Sequence, residues 1–211
     1  MEQVGPHIVH QEVFPGSEAR MQPVRTAWAP EIQALLQTQN VTGLYAHQAQ
    51  AMDLIRSGRH TVVATPTASG KSLIYTLPIL ESIANNPSSR ALFMFPLKAL
   101  AQDQLRGIQE LVQGWPGAEL PQAAVYDGDT PAGQRSVLRK KPPHMLLTNP
   151  EMMHLSLLSS HRQWAKLWSN LDYVVVDEVH TYRGVMGSNM AWVFRRLLRI
   201  CAEYGAKPTF V

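Results

Sequence analysis

The chain has 211 residues, 45% hydrophobic and 17% charged, which excludes a disordered chain and suits one sizeable globular domain with a core. A formal charge of +3 and a pI of about 9.1 permit a polyanionic partner without requiring one. Cys201 is the only cysteine; this excludes an intrachain disulfide and a cysteine zinc cluster and predicts a reducing, cytoplasmic setting, while no apolar run is long enough for a membrane span.

Residues 1–30 are rich in Pro, Gly and polar side chains, lack periodicity, and read as a lead-in arm before one domain over 31–211. Ala29-Pro30-Glu31 looks like a helix start, with proline in the first turn and an acid beside it. Residues 45–56 carry a second helical pattern, stopped by Ser57-Gly58. An alternation then begins. Strands are predicted over 61–64, 91–95, 123–126, 145–148 and 173–176, and another starts at 209–211. Helices are predicted over 71–83, 97–112, 131–139, 150–158 and 187–202. Strands alternating with helices predict a parallel sheet covered on both faces, and the unbroken apolar strands agree with burial on both sides. Cys201 falls in an apolar helical stretch and reads as a packing thiol.

Between the predicted strand 61–64 and the helix from 71 lies Thr65-Pro66-Thr67-Ala68-Ser69-Gly70-Lys71-Ser72. Strand before and helix after is the context a phosphate-binding loop needs. Small residues let successive N–H groups face an anion, and the helix start adds its positive dipole end. Lys71 would reach the β- and γ-phosphates of ATP, and the Ser72 hydroxyl would ligate Mg²⁺. Thr65 stands where the motif has its first glycine. The plainer reading is a tight strand–helix turn. The strand 173–176 ends in Asp177 and Glu178. Ligands of open parallel sheets bind beyond the carboxyl ends of strands. Asp177 would hold Mg²⁺, and Glu178 would orient and deprotonate a water attacking the γ-phosphate. Alone, the two acids would read as a solvated pair.

Asp177-Glu178-Val179-His180 resembles motif II of superfamily 2 DEAD/DEAH-box helicases, in a DExH form. Residues 44–48, 96–104, 126–130 and 148–151 resemble, in order, the Q motif, motif Ia, a glycine-containing strand-end motif and motif Ib. Residues 177–187 with Arg195-Arg196 resemble the branch of the mitomycin repair factor and RecQ-four-like DNA helicases. The resemblance implies a three-layer RecA-like P-loop NTPase fold with a mostly parallel central sheet. It implies that residues 31–211 are the first of two RecA-like domains, ending before motif III, with the second domain and its arginine fingers supplied from elsewhere. The implied activity is ATP-driven translocation along, and unwinding of, single-stranded or tailed DNA, in DNA repair. The 211-residue chain alone is then expected to bind nucleotide weakly and unwind nothing.

By the same resemblance Gln48 reads the adenine edge and His180 couples the ATP site to neighbouring motifs. Lys98, Asp127, Gly128, Thr148 and Arg183 grip the sugar–phosphate backbone. Physically, Thr130-Pro131 and Asn149-Pro150 serve equally well as helix caps, and Lys98 as a solvated lysine. Arg135, Arg139, Lys140 and Lys141 form a basic cluster, ordinarily a solvated face. Trp164 and Trp168 share a helical face, for packing or for base stacking. Alternatives of other classes are a P-loop phosphotransferase, which leaves Asp177–His180 and Gln48 without purpose, and a nucleic-acid-binding ATPase module that does not unwind.

Overall fold

The computed structural model describes His10, Glu12, residues 20–65 and residues 70–211. Its helices are α1 (Pro30–Thr38), α2 (Ala46–Arg56), α3 (Lys71–Asn85), α4 (Lys98–Val112), α5 (Ala132–Lys140), the single turn α6 (Pro150–Met152), α7 (Ala165–Trp168) and α8 (Gly184–Glu203). Strands are β1 (Arg90–Met94), β2 (Ala123–Val125), β3 (Met145–Thr148), β4 (Leu171–Val176) and β5 (Thr209–Phe210). They form one five-stranded sheet in the order β2-β3-β1-β4-β5, with every pairing parallel.

The strands split their side chains between two cores with period two. Ala91 and Phe93 join α1–α4 on one face, while Leu92 and Met94 join α8 and the segments around Trp164 on the other. The architecture is therefore three-layered, as the strand–helix alternation predicts. β4 breaks the alternation once. Arg90 pairs with Leu171 but Ala91 pairs with Tyr173, so Asp172 is an extra residue in the ladder. Leu171 and Val174 consequently face the same core, and Tyr173 and Val175 the other.

The predicted strand at 61–64 is not a strand. Residues 61–65 lie outside regular structure, tied to the sheet by Thr61 N–H donating to the Phe210 carbonyl at 2.9 Å. Phe210 cannot reciprocate. Its N–H donates to the His60 imidazole at 3.0 Å, so a side chain takes the group a ladder would need. The predicted helix over 150–158 starts as expected: Pro150 sits in the first turn and Asn149 caps it, accepting from Met152 N–H. It then widens into a π-helical run, Met153–Leu157. Thr130 does not cap α5, whose N-cap is Pro131 without a side-chain bond. Trp164 and Trp168 are fully buried and support no base. Cys201 is buried, and burial pushes its thiol up to about 11, which keeps it unreactive. Among the described residues no helix is long and apolar enough to cross a membrane.

Candidate functional site

Parallel strands present all their carboxyl ends to one edge, and the candidate residues gather there. α3 begins at Lys71 after Gly70, whose φ of +71° places it in the left-handed region. A side chain at Gly70 would also strike the amide of Gln48. Gln48 is buried and bridges two elements. Its Oε1 accepts from Tyr45 N–H at 3.0 Å, satisfying a donor at the start of α2. Its Nε2 donates to the Gly70 carbonyl at 3.1 Å. Gln48 thus fixes the entry to α3 from the side. Lys71 Nζ donates to the Thr65 carbonyl at 2.8 Å, spanning the loop between them. Pro66, Thr67, Ala68 and Ser69, expected to complete the phosphate loop, lie outside the described residues.

Across the edge, β4 delivers the acids. Asp177 N–H donates to the Met94 carbonyl at 3.0 Å, extending the pairing with β1 by one bond. Its Oδ1 accepts from Glu178 N–H at 2.9 Å. Burial holds the Asp177 carboxyl above the ordinary range; the bond from Glu178 N–H opposes this, the Glu178 charge adds to it, and Lys71 opposes it. Lys71 and Asp177 therefore belong to one electrostatic site. Glu178 adopts φ 52°, ψ 37°, a left-handed backbone rare outside glycine. That turn aims its carboxylate at His180, whose Nδ1 lies 3.3 Å from Oε2. A cationic lysine at a helix start facing a half-buried carboxylate fits a phosphate-bound divalent metal.

The five residues expected to meet nucleic acid divide by exposure. Lys98 at the start of α4 and Gly128 are exposed. Lys98 Nζ pairs with Asp129 Oδ2 at 2.8 Å and lies 3.5 Å from where a Cβ of Gly128 would be. Arg183 is exposed as the N-cap of α8, its Nε donating to the His180 carbonyl at 2.7 Å. Asp127 and Thr148 are buried. Asp127 Oδ1 accepts from Asp129 N–H, Thr130 N–H and the Thr130 hydroxyl. The Thr148 hydroxyl donates to the Tyr126 carbonyl at 2.8 Å. Their side chains shape the strand-end loops from within. Half of the basic cluster is likewise committed internally. Arg135 donates to the carbonyls of Asp127, Gly128 and Thr130, and Arg139 to the Tyr126 hydroxyl.

Sequence reasoning passed over Tyr75 and Tyr182, which the fold brings to the site. Burial pushes the Tyr182 phenol up to about 12, with Asp177's charge adding. Its hydroxyl is buried without a hydrogen-bond partner. Gly187 is needed beside it, since a Cβ there would sit 2.6 Å from the Tyr182 carbonyl. Tyr75 lies one turn beyond Lys71 on α3. The signal for it was spacing alone, three residues past Ser72 and hence on the same helical face.

A parallel sheet whose carboxyl edge brings a glycine-led helix start and its lysine to an acid pair has the arrangement of a P-loop NTPase domain. The chain belongs to the DEAD/DEAH box helicase family, whose model matches residues 45–207. Membership of this family implies ATP binding. The chain is 42% identical over 205 residues to the uncharacterized ATP-dependent helicase YprA of Bacillus subtilis, covering 97% of this chain and 27% of that protein. It is 39% identical over 196 residues to the ATP-dependent helicase HRQ1 of Saccharomyces cerevisiae, covering 92% of this chain and 18% of that one. A crystal structure of the DUF1998 helicase MrfA bound to DNA and AMPPNP superposes with a TM-score of 0.87 at 44% identity, over 92% of this chain and 27% of that one. The DEAD-box helicase Mss116, at 16% identity and TM-score 0.73, shares the fold. The RecA-like architecture and the branch expected from residues 177–187 are thereby borne out.

Proposed function

We propose that this domain is the nucleotide-binding half of a motor that steps along single-stranded or tailed DNA in a repair setting of the cytoplasm, turning over ATP with Mg²⁺ against a second RecA-like domain. The observation that carries the reading is the meeting of Lys71 with Asp177 and Glu178 at one sheet edge, with Lys98 and Gly128 along the same edge. The choice of DNA draws support from the MrfA complex. The repair setting draws it from the likeness of residues 177–187 to the mitomycin repair factor branch.

Lys71 is released from the Thr65 carbonyl to neutralise the β- and γ-phosphates, with the loop from Thr65 to Ser72 supplying N–H donors. Gln48 exchanges its contact with Gly70 for the adenine edge. Ser72 and Asp177 would hold the metal, which would supply neutralisation of the phosphate charge. Glu178 takes the proton of the attacking water, and His180, in contact with its carboxylate, fixes that carboxylate's direction and passes the state of the site to neighbouring loops. Lys98, Arg183 and the N–H groups around Gly128 hold backbone phosphates, while Asp127 and Thr148 position those loops.

In the full-length parent, Lys71→Ala is expected to lose nucleotide affinity. Glu178→Gln should keep ATP binding and lose turnover by roughly a hundredfold or more. Binding by fluorescence titration and phosphate release measure the two separately. Normal hydrolysis by Glu178→Gln would remove its role as the base.

A further inference from the structure

α8 packs one side against the sheet and turns the other to solvent. Met190, Val193, Leu197 and Cys201 are buried. Val185, Trp192, Arg195 and Arg199 recur at helical spacing and share the opposite side, where all four are exposed. An exposed apolar residue standing by itself needs no explanation. Trp192, at 63% exposure, does not stand by itself. The Arg195 guanidinium lies over its ring, 4.8 Å from the centroid, and Arg199 lies one turn beyond Arg195. Between Gly184 and Ala202 the helix carries Arg195, Arg196 and Arg199 and no acid; Glu203 follows at its last residue. Among the described residues, none of these three arginines pairs with a carboxylate.

This side of α8 is joined to the edge that carries the strand-end loops. Arg196 Nη1 donates to His154 Nδ1 at 2.8 Å. His154 belongs to the π-helical run that follows the Asn149-Pro150 helix start at the end of β3, and such turns are frequent at functional positions. The charge of the face decides what covers it. A second copy would set guanidinium against guanidinium. An acidic protein surface would answer the arginines and leave the stacked indole without a matching plane. A nucleic-acid strand supplies both complements, phosphates for the guanidiniums and a base for the ring. Its path from the strand-end loops is continuous through His154 and Arg196.

We infer that the outer side of α8 is a second contact for a single nucleic-acid strand, beyond the strand-end loops. Trp192 stacks a base, and Arg195 and Arg199 hold the flanking phosphates. The inference rests on nucleic acid being this domain's ligand.

The probe is a fluorescein-labelled oligothymidylate, its binding to the 211-residue chain followed by anisotropy over a range of KCl concentrations. Trp192→Ala is expected to weaken binding roughly tenfold at every salt concentration, and Trp192→Phe to retain most of the affinity. Arg195→Gln combined with Arg199→Gln should lower the slope of log affinity against log salt by about 1.4, the release from two phosphates of a single strand. The substituted side chains are exposed, so the variants should melt with the parent chain. Lys98→Ala tests the strand-end loops separately. If Lys98→Ala weakens binding while the Trp192 and arginine variants change neither affinity nor slope, the inference alone is overturned. If the unsubstituted chain does not bind the oligonucleotide, the nucleic-acid reading fails and the inference with it. It is also overturned if the α8 variants leave oligonucleotide binding intact and instead lower the melting temperature of the full-length parent, because the face is then a protein contact.

Discussion

Glu178 adopts a backbone that a glutamate avoids, at a cost of about 1–2 kcal/mol. The surrounding bonds hold it there: its carbonyl accepts from Thr181 N–H at 2.9 Å and from the Thr181 hydroxyl at 2.8 Å. Strain kept at a strand end beside a half-buried acid is typical of a working site. Asp177 carries a related cost. Its carboxyl is raised in the fold, so the folded state binds that proton more tightly than the unfolded chain. Stability contributed by this group falls as pH rises through the window above the ordinary aspartate range. Asp177→Asn, which keeps the oxygen that accepts from Glu178 N–H, should melt at a higher temperature than the parent at pH 7. The difference should shrink as pH falls through that window, and scanning calorimetry across pH measures it. Equal melting temperatures at pH 7 would remove the claim that the ionised acid opposes folding.

At the scale of elements, the tie between α2 and α3 is a buried ion pair. Arg56 Nε lies 2.7 Å from Glu81 Oε2, with side-chain exposures of 14% and 11%. Glu81 also accepts from Ala29 N–H, and Arg56 donates to the carbonyls of Thr26 and Ala27 beneath a 4.3 Å cation–π contact with Trp28. The pair thus anchors the segment leading into α1. Glu81→Ala leaves a buried guanidinium without its carboxylate and should destabilise the domain by about 3 kcal/mol in chemical denaturation. Most elements were legible in the sequence because their signals are local. Pro30 and Gly58 mark ends of α1 and α2, and 145–148 is an apolar run with no competing period. The failures were non-local. Residues 61–65 have the composition of a strand, but pairing depends on a partner amide that His60 occupies from within the same neighbourhood. The widening of the helix after Met152 has no composition signature. The gathering of Lys71, Asp177 and Glu178 at one edge was legible from the order of their segments along the chain. The internal engagement of Asp127, Thr148 and Arg135 was not, because it depends on how two strand-end loops stack.

Over the whole molecule, protection should follow sheet position. β1 lies at the centre between β3 and β4, while β2 is an edge and β5 has, among the described residues, a single backbone bond beyond it. Hydrogen exchange is expected to be slowest for amides of β1 and β3 and faster for residues 61–65 and β5. Slow exchange at 61–65 would mean that a full ladder forms there. His144 supplies a second global readout. Its Nδ1 accepts from Gln122 N–H and its Nε2 meets the Pro87 carbonyl, so the ring is neutral and joins the starts of β2 and β3 to the turn before β1. Burial, followed by the charge of Arg90, lowers its pKa from 6.5. The stability it contributes is complete above that value and is lost as pH falls through the depressed folded value. Urea midpoints should therefore decline on acidification below about pH 6.5, and His144→Gln should flatten that limb.

The additional residue in β4 has a consequence for how this domain tolerates change. Between Leu171 and Tyr173, Asp172 resets the phase of the strand relative to β1. On either side of it the strand keeps step with β1, and the pairing runs on to the Asp177 bond to the Met94 carbonyl. Deleting Asp172 would close the bulge into a regular ladder, with Leu171 and Val174 still on one core and Tyr173 and Val175 on the other. The acid pair would keep its place opposite Lys71. Removing a residue from 173–176 instead would make the side chains on one side of the gap exchange faces. The strand thus has one position at which its length can change without moving the chemistry at its end.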